Sequence, residues 1–245
     1  MPDVQGLKQK LKAGKVVVAL RPPITYTKSQ LETALGKGTY DLIYIDGQHT
    51  AFSDDQLVSI CGAAEELGMP VQFRIPHTRN TYLIGRYLDL GLSAILVPEV
   101  VKPESVEEAV GYSYYPPIGY RSWGGVARFG SKRDGRNLGR PEYAPWWNDH
   151  VVLGVQIESV HAVENVRSLI KPGLDYFAFG PNDLSFDLEQ HPEYRFRTTD
   201  DCTKYVVEQL QGTGIPCGMA IVTEPHERQK YLDMGLIMFQ ENPRP

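Results

Sequence analysis

The sequence predicts a (β/α)8 barrel, and three observations lead to that fold class. Eight short apolar runs recur along the 245 residues, and segments with apolar residues spaced by three and four lie between most of them. Several runs are continuously apolar, as expected of parallel strands buried on both faces. The length suits one large domain, because α/β barrels often reach this size as a single unit. We therefore expect one barrel domain over residues 1–245. An open doubly wound sheet is disfavoured, because no glycine-rich phosphate turn follows the first strand.

The order of strands and helices follows from the position of these runs. The predicted strands are the segments 15–22, 40–46, 70–76, 93–100, 151–158, 174–180, 216–223 and 236–242. The predicted helices are the segments 27–38, 54–68, 80–91, 104–115, 159–170, 200–214 and 226–235. Several of these helical segments end in glycine, which commonly terminates helices.

One interval, at about 116–150, interrupts the alternation. It is rich in glycine, proline and arginine and has no clear period. A loop longer than about 12–15 residues in a compact domain is usually functional or disordered. Its aromatic residues argue against disorder. We predict an ordered loop that lies over the active site or forms part of a subunit contact.

Composition excludes several classes of function. The net charge of −5 comes without a lysine and arginine cluster, which gives little support to a partner such as nucleic acid or an anionic membrane. The three cysteines are widely spaced and form neither a disulfide framework nor a zinc pair. The first residues lack the apolar core of a signal peptide, and no apolar run approaches the roughly 20 residues of a membrane span. We expect a soluble cytoplasmic protein.

Polar side chains stand at or just after the carboxyl ends of predicted strands two to six. Catalytic residues of such barrels come from these strand ends, because the closed sheet gathers them at one mouth. The residues concerned are Asp46, His49, Arg74, Glu99, Gln156, Glu158, Asn182 and Asp183. Their convergence predicts an enzyme.

Each of these residues also has an interpretation without catalysis. Asp183 is a favoured type for a helix N-cap, and Glu158 would suit the first turn of a helix. Arg74 alone would simply form a salt bridge, and His49 alone is more often structural. Glu99 suits an ordinary surface position. An active site is nevertheless favoured, because all five of these residues are expected at one rim of the barrel.

Acidic residues without a histidine or cysteine cluster favour a hard divalent cation at the mouth. Mg²⁺ or Mn²⁺ would suit oxygen ligands, with Co²⁺ as a third candidate. The six histidines show no zinc-ligand spacing. A Schiff-base mechanism is disfavoured because no lysine ends strand five or six.

Six segments then suggest a family. In chain order they are YDLIYIDGQH, FRIP, RYLDLGLSAILVPEV, YPPIGYRSWGGVAR, VQIES and FGPNDLS. Together they resemble the HpcH/HpaI aldolase/citrate lyase family, and within it the 4-hydroxy-2-oxoacid (pyruvate) aldolases, over residues 7–239. The resemblance implies a metal-dependent (β/α)8 barrel with small 2-oxoacid and aldehyde substrates. It also implies a homo-oligomer, a hexamer in the family.

The resemblance assigns binding roles to four positions. Glu158 and Asp183 match the metal ligands. Gln156 and Asn182 match groups that hold the carboxylate of the substrate, and Asp183 lies in the same motif as Asn182. A divalent cation chelated between the protein and a 2-oxoacid would polarise the keto group.

The resemblance assigns catalytic roles to four further sites. His49 matches the base that takes the proton of the C4 hydroxyl, and Asp46 stands where its partner carboxylate belongs. Arg74 matches the arginine that stabilises the enolate oxygen. Asp89 matches an acidic position that raises the basicity of the histidine. The implied reaction is cleavage of a 4-hydroxy-2-oxoacid to pyruvate and an aldehyde, or its formation from them.

Three features depart from the family pattern. Gln48 replaces the glutamate of the usual D-G-E-H motif, and Glu99 stands where an apolar residue is common. The family continues from strand eight into a final helix, whereas this sequence ends at residue 245. We therefore expect a barrel without the usual final helix and an altered assembly.

Two alternatives stay open at this point. One is an acyl-CoA thioester lyase of the citrate-lyase-β or malyl-CoA type, which needs a basic surface for the CoA phosphates. The candidates for that surface are Arg121, Arg128, Lys132, Arg133 and Arg136. The other is a catalytically weakened binding protein, suggested by Gln48. The aldehyde and the preferred metal also stay open.

Overall fold

The computed structural model describes residues 4–124, 129–133 and 136–245. Eight parallel strands close into a barrel in which each strand pairs with its neighbours in sequence and the last pairs with the first. The strands are β1 (Val17–Leu20), β2 (Leu42–Asp46), β3 (Val71–Arg74), β4 (Ala94–Val97), β5 (Val152–Ile157), β6 (Tyr176–Phe179), β7 (Cys217–Val222) and β8 (Leu236–Glu241). Every strand lies within a predicted segment, and the predicted fold class is confirmed.

Helices lie between the strands and cover the outside of the barrel. They are α1 (Val4–Lys12), α2 (Lys28–Leu35), α3 (Asp54–Glu66), α4 (Ile84–Asp89), α5 (Pro103–Ser113), α6 (Arg140–His150), α7 (Val160–Glu164), α8 (Pro181–Gln190), α9 (Thr199–Leu210) and α10 (Arg228–Asp233). Short 3₁₀ segments, Thr78–Leu83 and Val166–Leu169, precede α4 and follow α7. Hydroxyl side chains cap several helices; Thr27, for example, accepts a hydrogen bond from the Gln30 amide. No helix in the described ranges is long and apolar enough to cross a membrane.

The prediction of one irregular loop over 116–150 was wrong for its last third, which is helix α6. This helix has Pro141 and Glu142 in its first turn, a combination that favours helix initiation. Its aromatic face gave no simple apolar period, so the pattern was missed. A short antiparallel ribbon pairs Lys132–Arg133 with Arg136–Asn137. Residues 125–128 and 134–135 of the predicted loop lie outside the described residues.

The alternation of side chains along each strand divides the core into two layers. Ile43 and Ile45 of β2 pack outward against the helices, whereas Leu42 and Tyr44 point into the barrel. Because side chains alternate with a period of two, Asp46 continues the inward series. The same spacing in β3 and β5 turns Arg74 and Gln156 inward at the carboxyl ends.

Helix α1 closes the amino-terminal end of the barrel. Leu7 and Leu11 join the interior cluster. Between them Lys8, 7% exposed, extends its ammonium group to the start of two strands. Its Nζ lies 3.2 Å from Asp175 Oδ1 and 2.8 Å from the carbonyl oxygen of Val151.

Candidate active site

The opposite, carboxyl end of the barrel contains a cavity of about 140 Å³. The strands and the loops that follow them deliver its polar lining from distant parts of the sequence. The cavity is lined by Arg21, His49, Arg74, Gln156, Gly180, Asn182, Asp183, Ala220 and Ile221. Five residues predicted for the site therefore meet in one small cavity, and Asp46 and Glu158 border it through the contacts described next.

Asp46 organises two arginines at the mouth. Its Oδ1 accepts a hydrogen bond from Arg74 Nε at 2.8 Å, and its Oδ2 accepts from Arg74 Nη2 at 2.5 Å and from Arg21 Nη2 at 2.8 Å. The main-chain N–H of Gln48 donates to Asp46 Oδ1 at 3.0 Å. Burial opposes ionisation of this carboxyl group, but Arg74, the Gln48 amide and Arg21 together hold its pKa below the ordinary value. Asp46 is therefore an anion that fixes the direction of both guanidinium groups.

The predicted pairing of Asp46 with the His49 imidazole is not among these contacts. Asp46 Oδ1 instead accepts from the main-chain N–H of His49 at 3.4 Å. The glycine between them permits this tight turn, because a Cβ at position 47 would overlap the Phe73 ring and lie 2.8 Å from the Arg74 carbonyl oxygen. Asp46 thus positions the backbone of His49, while the ring of His49 lines the cavity.

Glu158 is the electrostatically unsatisfied member of the site. It is 7% exposed, and its buried Oε1 accepts no hydrogen bond from any described residue. Burial first, and then the charge of Asp183, raise the pKa of Glu158 to about 7. Helix α7 begins only at Val160, with Ser159 as its N-cap. The interpretation of Glu158 as a first-turn residue is therefore wrong.

Asp183 faces Glu158 from the first turn of α8. Gly180, not Asp183, is the N-cap of that helix, so the N-cap interpretation is wrong. A Cβ at Gly180 would lie 2.5 Å from Gln156 Nε2 and 2.7 Å from Glu158 Cγ. Glycine at this position therefore keeps the space between these side chains open.

Two mutually repelling carboxylates, one with an orphaned oxygen, suit a bound cation. No group of three or more His, Cys, Asp or Glu side chains within the described ranges is arranged to hold a metal. A cation here would therefore have Glu158 and Asp183 as protein ligands and would complete its shell with water and substrate. That small, all-oxygen ligand set fits Mg²⁺-type ions, which usually retain several waters.

Potential hydrogen-bond donors adjoin the two acids. Arg74 Nη1 donates to Gln156 Oε1 at 3.3 Å, which leaves the amide nitrogen of Gln156 directed toward Gly180. The first N–H groups of a helix lack intrahelical acceptors, so those of Asn182 and Asp183 are available at the start of α8. Helix N-termini favour anions for this reason.

Glu99 adds a further carboxylate at the rim. It has a φ of 55°, which is uncommon outside glycine. Its Oε1 accepts from Gln48 Nε2 at 3.0 Å, and its Oε2 lies 3.0 Å from His77 Nε2. The main-chain N–H of Glu99 partly offsets the rise in the pKa of Glu158. The surface interpretation of Glu99 is therefore incomplete.

Asp89 is not brought to this cavity. Its Oδ1 accepts from Arg121 Nη2 at 2.7 Å, and the Arg121 guanidinium stacks over Trp147. Helix α4 runs from the mouth end of β3 back to the start of β4, so its last residue, Asp89, lies at the far end of the barrel. The predicted effect of Asp89 on His49 has no contact to carry it within the described part of this chain.

Among the basic residues considered for CoA, those that the structure describes do not form a common surface. The side chain of Arg121 is fully buried, and that of Arg136 pairs with Glu142 at 2.6 Å. Lys132 is exposed. Arg128 and the side chain of Arg133 lie outside the described residues.

Two contributors to the mouth were missed at the level of sequence. Arg21 follows β1 directly, as Asp46 ends β2, and its position after an apolar run was a usable signal. His77 follows β3, but only its contact with Glu99 connects it to the site.

Comparisons with known proteins identify the family and agree with the fold. The sequence profile of the HpcH/HpaI aldolase/citrate lyase family matches residues 26–240. A 4-hydroxy-2-oxo-heptane-1,7-dioate aldolase of Shigella sonnei is 29% identical over 239 residues, covering 95% of this chain and 86% of the relative. A 2-keto-3-deoxy-L-rhamnonate aldolase of Klebsiella pneumoniae is 30% identical over 215 residues, covering 86% and 78%. The crystal structure of an HpcH/HpaI aldolase from Desulfitobacterium hafniense superposes with a TM-score of 0.82 at 27% identity, covering 96% of this chain and 90% of the other.

Proposed function

This chain belongs to the HpcH/HpaI aldolase/citrate lyase family, and we propose that it is a divalent-metal-dependent aldolase of 4-hydroxy-2-oxoacids. The reaction would interconvert such an acid with pyruvate and an aldehyde. The observation that carries the proposal is the orphaned carboxylate of Glu158 opposite Asp183, beside the cavity that His49 and Arg74 line.

The residues predicted for the site would divide the tasks of this reaction. Glu158 and Asp183 would hold the cation, which when bound would supply Lewis-acid polarisation of the 2-oxo group. The first amides of α8 and Gln156 would bind the carboxylate of the oxoacid. Arg74 is held in place by Asp46, so its remaining N–H groups are oriented before substrate arrives.

The bond changes follow from these positions. His49 would accept the proton of the C4 hydroxyl group as the C3–C4 bond breaks. The C4 oxygen would become the aldehyde carbonyl, and the electron pair of the broken bond would form the enolate of pyruvate. Arg74 would stabilise the negative charge on the enolate oxygen electrostatically. Protonation at C3 would then give pyruvate, and the reverse sequence is aldol addition.

The test is pyruvate release from a panel of 4-hydroxy-2-oxoacids with Mg²⁺, Mn²⁺ or Co²⁺, and with EDTA. We expect metal-dependent release by the wild type and by Glu189→Gln, an exposed position on α8 that leaves the cavity untouched. Asp183→Asn, on the same helix, should lose release by at least about a hundredfold, because one of two protein ligands is neutralised.

Two outcomes would overturn the proposal. Undiminished release by Asp183→Asn in EDTA would remove the metal from the reaction. Cation binding by the wild type with no release from any substrate would favour the weakened-binder alternative. The CoA-lyase alternative has little structural support, because Arg121 is buried and Arg136 is paired within the protein.

A further inference from the structure

A side-chain bridge spans part of the mouth beside the proposed catalytic residues. Gln48 follows β2 and Glu99 follows β4, and their 3.0 Å hydrogen bond therefore crosses the end of β3, where Arg74 stands. The backbone around Glu99 is itself held by Thr78, whose Oγ1 lies 2.5 Å from the carbonyl oxygen of Pro98 and 3.2 Å from that of Glu99. These contacts stabilise the positive φ and fix the carboxylate at the rim.

The charge of Glu99 has no cationic partner in this bridge. His77 Nδ1 accepts a hydrogen bond from the Arg79 amide at 2.9 Å, so this nitrogen carries no proton. The hydrogen of the ring is then on Nε2, which donates to Glu99 Oε2, and the imidazole is neutral. Gln48 is neutral as well. Glu99 therefore presents a full negative charge, with its side chain 43% exposed.

The nearby arginines do not neutralise this charge. Arg21 and Arg74 both line the cavity and both donate to Asp46. Two guanidinium groups against the one carboxylate of Asp46 leave one positive charge in excess, but within the described residues neither group forms an ion pair with Glu99. Glu158 and Asp183 face the proposed cation. An additional anion entering beside Glu99 would meet uncompensated negative charge.

The bridge also offers hydrogen-bond acceptors in excess of donors. Gln48 Oε1 is buried and accepts no hydrogen bond from the described residues. Its amide orientation is set by the donation of Nε2 to Glu99. The orphaned oxygen and the Glu99 carboxylate together call for a ligand that brings hydroxyl or other donor groups.

We propose that Gln48 and Glu99 form the subsite for the aldehyde half of the substrate, and that this subsite selects neutral hydroxyaldehydes over aldehydes that carry a carboxylate. The inference rests on the proposed aldolase function. In that reaction His49 takes the proton of the C4 hydroxyl, so the aldehyde half must lie on the His49 side of the cavity. Gln48 is the residue next to His49 and joins Glu99 there.

The experiment compares two aldehydes of equal length as acceptors for pyruvate. Glycolaldehyde carries a hydroxymethyl group where glyoxylate carries a carboxylate. We expect the wild type, with saturating pyruvate and one chosen metal, to use glycolaldehyde with at least a tenfold higher kcat/KM. Glu99→Gln keeps the shape and the acceptor for Gln48 but removes the charge. It should raise kcat/KM for glyoxylate about tenfold and lower that for glycolaldehyde, whose hydroxyl group loses a charged acceptor, so that the preference for glycolaldehyde falls.

Two further variants test this result, one with an expected shift in the opposite direction and one as a control. Gln48→Glu places a second carboxylate against Glu99 and should lower the use of glyoxylate further. Glu208→Gln removes an exposed charge in the last turn of α9, at the amino-terminal end of the barrel, and should leave the preference between the two aldehydes unchanged. If Glu99→Gln proves unstable, Gln48→Glu still decides the matter, because its expected shift has the opposite sign.

Failure of the subsite and failure of the aldolase function are distinguishable by a second readout. Metal-dependent exchange of the pyruvate methyl protons with deuterated water, followed by NMR, reports enolate formation without any aldehyde. Normal exchange and normal glycolaldehyde addition, with an aldehyde preference that neither variant changes, would overturn the subsite alone. Absence of exchange and addition in every variant would overturn both proposals.

Discussion

The two ends of this barrel each bury charged side chains, but they treat them in opposite ways. At the amino-terminal end, Lys8 Nζ has Asp175 Oδ1 at 3.2 Å and also meets the hydroxyl of Tyr114 and the carbonyl oxygen of Val151, both at 2.8 Å. The second oxygen of Asp175 accepts from the Leu153 amide at 2.8 Å. The charged groups of this buried Lys8–Asp175 pair therefore all have hydrogen-bond partners.

At the carboxyl end, a buried charged group lacks part of its set of hydrogen-bond partners. Glu158 has a buried oxygen without a partner and a like-charged neighbour in Asp183. Natural proteins satisfy nearly all buried polar groups, so an orphaned carboxylate indicates a ligand rather than a structural contact. The comparison shows that burial alone does not identify a functional charge. The informative property is whether the buried charged group lacks hydrogen-bond partners. Three substitutions sharpen this contrast.

The largest effect is expected from breaking the satisfied end. Lys8→Met would leave the Asp175 carboxylate buried without its cation, and loss of one member of a buried pair usually destabilises a protein by about 3–5 kcal/mol. The free energy of unfolding in urea would show it. Lys12→Met, at an exposed position of the same helix, is the control and should change stability by less than about 0.5 kcal/mol. A loss below about 1 kcal/mol for Lys8→Met would mean that the pair is not structural.

At the unsatisfied end the same kind of change should have the opposite sign. Glu158 has a pKa of about 7 in the folded protein against an ordinary value of 4.5. Between these values the folded state binds more protons than the unfolded state, so stability falls as the pH rises from 4.5 to 7. At pH 8 without metal the ionised carboxylate therefore opposes folding by up to about 3 kcal/mol. Glu158→Gln should remove that penalty.

The measurement is urea unfolding of wild type and Glu158→Gln in EDTA at pH 8 and at pH 4.5. We expect the variant to be the more stable protein at pH 8, with a smaller difference at pH 4.5, where the wild-type carboxyl group is largely protonated. Mg²⁺ or Mn²⁺ should stabilise the wild type and leave the variant unchanged. A variant that is less stable than wild type at pH 8 in EDTA would contradict this account of the mouth.

The strands that position this site could be predicted from the sequence, but the contacts between its side chains could not. Apolar runs gave all eight strands, and the period of two along β2, β3 and β5 explains why Asp46, Arg74 and Gln156 point into the barrel. Pair contacts depend on loop geometry, which periodicity does not encode. For that reason the engagement of Asp46 with Arg21 and the Glu99 bridge were not foreseen.

Helix α6 shows a second limit of pattern reading. Its buried positions include Tyr143, Trp147, Asn148 and His150, a mixture without a clean apolar stripe. Asn148 is buried because its side chain exchanges two 2.9 Å hydrogen bonds with the backbone of Tyr115. Specific polar pairing of this kind overrides the correlation between hydrophobicity and burial on which the prediction rests.

The smallest effect is expected at Asp183, which influences Glu158 from a distance. Burial is the larger cause of the raised pKa of Glu158, and the charge of Asp183 is the second. Asp183→Asn should therefore lower the pKa of Glu158 below its wild-type value of about 7 while leaving it above the ordinary value, since burial persists. Carbon-detected NMR of the side-chain carboxyl groups in metal-free protein would follow this titration. Glu189→Gln, on the same helix but exposed, is the matched control and should leave the pKa of Glu158 unchanged. Because burial and the charge of Glu99 still raise the pKa of Glu158 in this variant, the stability gain at pH 8 should be smaller than that of Glu158→Gln. An equal gain would mean that repulsion, rather than the missing partner of a buried oxygen, distinguishes the mouth from the amino-terminal end.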